Sequence, residues 1–294
     1  MEHDPLRGRT VVVTGAARGV GAALARDLAG RGARLALLGH EKPALEALAA
    51  ELTPAAAWEV DITDDTGMTA VARDVRENFG TPSVVIANAG IAEGGPFAES
   101  DPASWRRVID VNLTGSAITA RAFLPDLVDT AGYYLQVASL ASIGASPMMS
   151  AYCASKAGVE AFAHSLRAEV AHQGIAVGIA YLNWTDTDMI RDADQHAVLR
   201  ELRGHMPPPA RRVYPVEHVA ARLARTVERR RTSVYVPGWL RAAQLGRVAL
   251  PPVVLRVSRR ALPRLAAREP FRPTGLLGKG GRADGSGSGR PAVG

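Results

Sequence analysis

Two hydrophobic rhythms alternate along the first 190 residues. Short β-rich runs predict strands over residues 10–14, 34–38, 57–60, 83–87, 132–138 and 175–181, with a last strand at 233–236. Helical stretches separate them over residues 19–29, 43–52, 66–79, 104–127 and 150–172. Val11-Val12-Val13 and Val84-Val85-Ile86 are continuously apolar rather than alternating. That is how strands read when helices cover both faces of the sheet. The repeated strand–helix unit therefore predicts an α/β fold, a doubly wound parallel sheet of about seven strands.

The rhythm breaks at residues 189–213, where one or two short helices are expected before Pro207-Pro208-Pro209 stops them. An insertion at this point suits a substrate lid, or a plain surface excursion. Beyond Trp239 the composition shifts. Residues 241–272 hold eight arginines and one acid among apolar clusters, and residues 273–294 are rich in Gly, Ser and Arg. The chain thus divides into a main domain at 1–240, a basic C-terminal extension at 241–272, and a tail at 273–294 expected to be disordered.

Charge follows the same division. The net +6 is misleading, because residues 241–294 carry eleven Lys/Arg against two acids, leaving −3 for residues 1–240. The main domain therefore gives no electrostatic reason to bind nucleic acid. Pro251-Pro252 and Arg256 interrupt any bilayer-crossing run. The extension has two readings: weak peripheral contact with an anionic membrane, or packing of residues 244–265 across the core or a neighbouring subunit. The polar start Met1-Glu2-His3-Asp4-Pro5 predicts no secretion signal, and the single Cys153 fits a reducing compartment, so a cytoplasmic location is expected. His164 and His172 have no metal-ligand company in the sequence.

Two constellations carry chemistry. Gly15, Gly19 and Gly21 follow Val11-Val12-Val13 and open a helix, so backbone N–H groups and a positive helix end face outward where a pyrophosphate can approach. A glycine-eased turn without a ligand is the plainer reading. Further on, Tyr152 and Lys156 share one helix face at i and i+4, and Ser139 sits in the turn after a strand. An isolated phenol titrates near pH ~10, and an adjacent ammonium lowers that value.

In these features the chain resembles the short-chain dehydrogenases/reductases over roughly residues 7–240. The likeness comprises Thr14-Gly15-Ala16-Ala17-Arg18-Gly19-Val20-Gly21, Asp61-Ile62, Ala87-Asn88-Ala89-Gly90, Asn112 within Val-Asn-Leu-Thr-Gly, then Ser139, and Tyr152 with Lys156. The resemblance implies a Rossmann-like oxidoreductase acting on a small carbonyl or alcohol, with Tyr152 as general acid/base. It implies that Ser139 holds the substrate oxygen and that Lys156 lowers the tyrosine pKa and bonds the nicotinamide ribose. Asn112 is implied to hold a relay water; a helix-kink or capping asparagine is the alternative. Thr14, Ala17 and Val20 belong to the phosphate turn, Asp61 and Ile62 to the adenine contact, and Asn88, Ala89 and Gly90 to the cofactor's path. Thr185 and Thr187 are candidate carboxamide contacts.

The end of the second strand reads Leu38-Gly39-His40-Glu41, so Gly39 stands where an NAD enzyme places a carboxylate. With Arg18 as the cation and His40 as a second donor, NADP(H) is expected over NAD(H); Glu41 reverses this if the register shifts. Leu182-Asn183 replaces the family's Pro-Gly, and Trp184 either walls the substrate pocket or fills space. Family likeness also implies a homodimer or homotetramer through residues 104–127 and 150–172. The rival reading is a cofactor-binding regulatory or scaffold protein with little turnover.

Overall fold

The computed structural model describes residues 5–287. Seven strands, β1 (Thr10–Thr14), β2 (Arg34–Gly39), β3 (Ala55–Glu59), β4 (Pro82–Ala87), β5 (Tyr133–Ser139), β6 (Ala176–Leu182) and β7 (Ser233–Val236), form one sheet in the order β3-β2-β1-β4-β5-β6-β7. Every pairing is parallel. Successive strand residues point to opposite faces, and both faces are covered. Val12 joins Val85, Phe123 and Tyr134 in one buried layer, while its neighbours Val11 and Val13 join Leu24, Leu28 and Leu35 in the other. This explains the unbroken apolar runs. Strand order reverses between β1 and β4, which opens a crevice above their C-terminal ends.

Helix boundaries follow local chemistry. Asp64 accepts the Thr66 N–H to start α3 (Asp65–Asp74), and Asp101 accepts the Ala103 and Ser104 N–H groups to start α4 (Pro102–Ile109). By contrast, α1 (Gly19–Gly30) and α2 (Lys42–Glu51) begin with no side-chain cap. The helix expected over 104–127 divides instead into α4, a π-turn at Asp110–Thr114, and α5 (Gly115–Asp129). The π-turn contains Asn112, whose amide is pulled towards β4 (below). After it come the short α6 (Leu140–Ile143) and the long α7 (Ser150–Val170).

Three short helices fill the break: α8 (Asp188–Ala193), α9 (Ala197–Gly204) and α10 (Pro208–Arg211). α9 ends at Gly204, ahead of the prolines as expected, and Pro208 and Pro209 then begin a further helix, in the first turn of α10 where no intrahelical N–H is needed. α11 (Val216–Glu228) then packs beside α1.

The described residues beyond β7 pack back on the domain. α12 (Leu240–Leu245) and α13 (Leu250–Arg268) lie on the domain, with Leu240, Ala261 and Leu265 buried. Of the tail expected to be disordered from 273, residues 273–287 are described and include α14 (Gly278–Gly287), while residues 288–294 lie outside the described residues. A few residues tie this segment to the domain. Leu277 is buried, its N–H donates to the Ala92 carbonyl, the Thr274 N–H donates to Gly94, and Asp284 is an ion-pair partner inside the cleft. Among the described residues no helix is long and apolar enough to cross a membrane.

Candidate active site

β1 runs straight into the glycine turn, and the turn is tight for physical reasons. Gly15 has φ +62°, and a Cβ there would stand 2.7 Å from the Ala89 Cα. A Cβ on Gly21 would collide with the Gly15 carbonyl oxygen. Only glycine fits either place. Asn88 secures the turn: its Nδ2 donates to the carbonyls of Thr14 (3.0 Å) and Gly15 (3.3 Å). The Thr14 hydroxyl accepts the N–H groups of Asn88 (3.0 Å) and Ala89 (3.1 Å). Thr14 and Asn88 thus lock β1 to β4 beneath the uncapped start of α1, leaving N–H groups for an anion. This glycine cradle fits a nucleotide pyrophosphate.

A cleft of about 240 Å³ opens above the turn. Of the residues expected at the cofactor, Gly15, Ala17, Arg18, Gly19, Val20, Gly39, His40, Asp61, Ile62, Asn88, Ala89, Gly90, Thr185 and Thr187 line it. So do Ser139, Tyr152 and Lys156. Thr14, Gly21 and Asn112 do not appear in its wall; they support it from behind.

β5 delivers Ser139 at its C-terminal end, and α7 delivers Tyr152 and Lys156 one turn apart. Ser139 also caps α6: its hydroxyl accepts the Ala141 N–H at 3.1 Å, which leaves its own O–H to donate. The Tyr152 phenol is raised above its ordinary value by burial, opposed by a hydrogen bond with Ser139. The Lys156 ammonium is brought down to about 8 by burial. Its Nζ donates to the Val137 carbonyl at 3.2 Å and lies 5.7 Å from the Tyr152 ring centroid.

Asn112 is fully enclosed. Its Oδ1 accepts the Ile91 N–H (2.8 Å), and its Nδ2 donates to the Ile91 carbonyl and the Ser155 hydroxyl (both 2.9 Å). Both amide hydrogens are therefore used, and only the second lone pair of Oδ1 remains. A Cβ on Gly90 would lie 3.1 Å from that Oδ1 and 3.4 Å from Lys156 Nζ, so the glycine keeps open the space those two polar atoms share.

The end of the cleft beside Gly39 is more crowded with charge than the sequence suggests. Arg18 makes a two-pronged ion pair with Glu41 and a longer contact with Asp188 (3.3 Å), so its guanidinium already has two carboxylates. Gly39 is not sterically required, since a Cβ there meets only Leu45 at 3.7 Å. Asp61 accepts the Thr63 N–H and hydroxyl and pairs with Arg107 at 2.7 Å. Burial pushes its carboxyl up, yet these partners outweigh burial and hold it below the ordinary carboxylate range.

Arg107 is the residue the sequence concealed. Besides Asp61 it grips the buried Asp284 of α14 through Nε (2.8 Å) and Nη2 (2.7 Å). Asp284 also stands 4.0 Å from His40 Nδ1. Leu277–Gly281 and Asp284 line the cleft, so the chain's own C-terminal segment forms part of its wall. No sequence signal marked Asp284, because its partner lies 177 positions away.

On the other side of Tyr152, Ala92, Met149, Ala193, Leu199 and Leu277 form an apolar cluster joined by Met148, Met189 and Cys153. Trp184 takes no part in the cleft wall; it faces Arg203 of α9, with the guanidinium 5.6 Å from the ring. Asn183, in place of the family glycine, ties the end of β6 to the 189–213 insertion by donating to the carbonyls of Ala210 (3.2 Å) and Arg212 (3.4 Å).

Comparison with known proteins agrees with this geometry. The family model described as short chain dehydrogenase matches residues 9–197. A cis-4-hydroxycyclohexanecarboxylate dehydrogenase of Sinomonas cyclohexanicum is 37% identical over 188 residues, covering 62% of this chain and 75% of that protein. A galactitol 2-dehydrogenase (L-tagatose-forming) of Cereibacter sphaeroides is 34% identical over 223 residues, covering 74% and 87%. Nodulation protein G of a Rhizobium species is 30% identical over 224 residues, covering 74% and 89%. With its parallel seven-stranded sheet and glycine turn, the chain belongs to the short-chain dehydrogenase/reductase family of oxidoreductases.

Proposed function

We propose that the protein is an NADP(H)-preferring alcohol dehydrogenase or ketoreductase. The observation that carries this reading is the convergence of Ser139, Tyr152 and Lys156 on the wall of the cleft that holds the glycine turn. When bound, a nicotinamide nucleotide supplies or takes up the hydride at the carbonyl carbon. Gly15 to Gly21 and the start of α1 would hold its pyrophosphate, Asp61 and Ile62 its adenine, and Thr185 and Thr187 its carboxamide. Ser139 donates its free O–H to the substrate oxygen, where charge develops. Tyr152 gives that oxygen a proton in reduction and removes one in oxidation. Burial keeps the phenol protonated at neutral pH, which suits the reducing direction. Lys156 retains two N–H donors beyond the one given to Val137, for the ribose and for a water shared with Asn112 Oδ1.

The NADP(H) preference rests on Gly39, which offers no carboxylate to the ribose, and on His40 in the cleft wall; a 2′-phosphate reaches Arg18 only by displacing Glu41 or Asp188 from it. Glu41 is engaged by Arg18 rather than turned to a sugar. The apolar cluster beside Tyr152, with three methionines able to reshape, supports a substrate with an apolar body. A cytoplasmic homodimer or homotetramer through α5 and α7 completes the reading and rests on the family alone.

The test is Tyr152→Phe. It should bind NADPH as the parent does, while carbonyl-dependent NADPH consumption falls by roughly 10³-fold or more. Near-parent turnover would remove Tyr152 from its role. A parent that binds NADPH tightly yet turns over no carbonyl would favour a regulatory protein.

A further inference from the structure

Leu245 and Val248 are 84% and 87% exposed, and Val253, Leu255 and Val257 are about half exposed. Five of the seven large apolar residues left in the open, among the described residues, therefore fall within one stretch of thirteen. The same region is strongly basic: residues 241–268 hold seven arginines and no acid. Of these, Arg247 pairs with Glu160, while Arg256, Arg259, Arg260, Arg264 and Arg268 are exposed and make no ion pair among the described residues. A free monomer surface rarely gathers apolar side chains and unpaired like charges in one place.

We propose that residues 245–260 form a docking surface for an anionic lipid bilayer. The chemistry selects this occupant over a second copy. A two-fold interface places the same patch on itself, which would set unpaired arginines against arginines. Lipid phosphates satisfy the guanidinium groups, and the acyl boundary takes Leu245, Val248 and Val253. The start of the surface is tied to the main domain. Buried Glu160 accepts Gln244 Nε2 (2.5 Å) and Arg247 Nη1 (3.0 Å), and Arg247 Nη2 donates to the Ser142 carbonyl (2.9 Å).

The anchor also fixes where the patch sits. Ser142 belongs to α6, which Ser139 caps, and a Cβ on Gly144 would lie only 3.3 Å from Leu250 Cδ1. The docking surface is thus mounted on the turn that carries Ser139. Docking would bring that side of the cleft to the lipid, and the substrate class that fits is a lipophilic carbonyl or alcohol partitioned in the bilayer. This last step rests on the oxidoreductase reading; docking itself does not.

Sedimentation of the full chain with phosphatidylcholine vesicles containing about a third phosphatidylglycerol tests it, against pure phosphatidylcholine. The expected result is roughly tenfold more protein pelleted by the anionic vesicles, released by high salt. Leu245→Ser/Val248→Ser/Val253→Ser and, separately, Arg256→Gln/Arg259→Gln/Arg260→Gln should each lose most of that binding, with unchanged thermal unfolding because the side chains are exposed. Equal pelleting by both vesicle types, or no loss in either triple variant, overturns the proposal. So does a change in oligomeric mass of the variants without vesicles, which would make the patch a subunit interface. Tyr152→Phe should pellet as the parent does, so that failure of the catalytic reading and failure of docking are read separately.

Discussion

Replacing Lys156 by methionine should stabilise the cofactor-free protein while abolishing its activity. The side chain is buried, and burial takes its ammonium from 10.5 to about 8. At about 1.4 kcal/mol per decade, keeping that charge inside costs the fold about 3 kcal/mol. The cost is present in full below pH 8, where folded and unfolded states both hold the proton. It is relieved between pH 8 and 10.5, where only the unfolded state holds it, and it is absent above. Loss of the hydrogen bond to Val137 offsets about 1 kcal/mol of the gain. Lys156→Met should therefore be more stable by about 2 kcal/mol at pH 7, and that advantage should fade and reverse slightly near pH 10. Urea unfolding of both proteins without nucleotide, at several pH values between 7 and 10, measures this directly. A variant less stable at pH 7, or an advantage that does not shrink as pH rises, would refute the claim that Lys156 is a charge buried at the fold's expense.

Other outcomes follow from the same geometry. Gly39→Asp places a carboxylate at the ribose where a Cβ meets only Leu45, and should shift the ratio of kcat/KM for NADPH over NADH towards NADH by about tenfold or more; an unchanged ratio would remove position 39 from cofactor choice. Because burial holds the Tyr152 phenol above its ordinary value, alcohol oxidation should rise with pH through the alkaline range while carbonyl reduction does not. Parallel initial-rate profiles in the two directions check this, and a flat oxidation profile contradicts it. Asp284→Ala leaves Asp61 as the carboxylate partner of the Arg107 guanidinium, beside its hydrogen bond to Thr63, and should free α14. Tryptic cleavage after Lys279, followed by mass spectrometry, should accelerate several-fold, and undiminished protection would show that the ion pair does not hold the segment.

The sequence alone determined the strands and the adjacency of Tyr152 and Lys156, because both are local. A strand buried on two faces needs an apolar residue at every position, so β1 and β4 announce themselves, and β1 and β7 end where expected. Tyr152 and Lys156 meet because four residues make about one helical turn, and Gly15 and Gly21 are glycines because neighbouring backbone leaves no room for a Cβ. What the tertiary structure decided was pairing across distance. Arg18 looked like a cation awaiting a phosphate until Glu41 and Asp188 were seen to hold it. Asn112 looked free to offer either amide atom to a water until Ile91 and Ser155 were seen to take its amide hydrogens, which leaves one lone pair of Oδ1. A tail that composition marks as disordered returns to the cleft through Leu277 and Asp284, whose partners lie far back in the chain. Composition averages over a segment, whereas one buried ion pair and one buried leucine suffice to place it, and only folding brings those partners together.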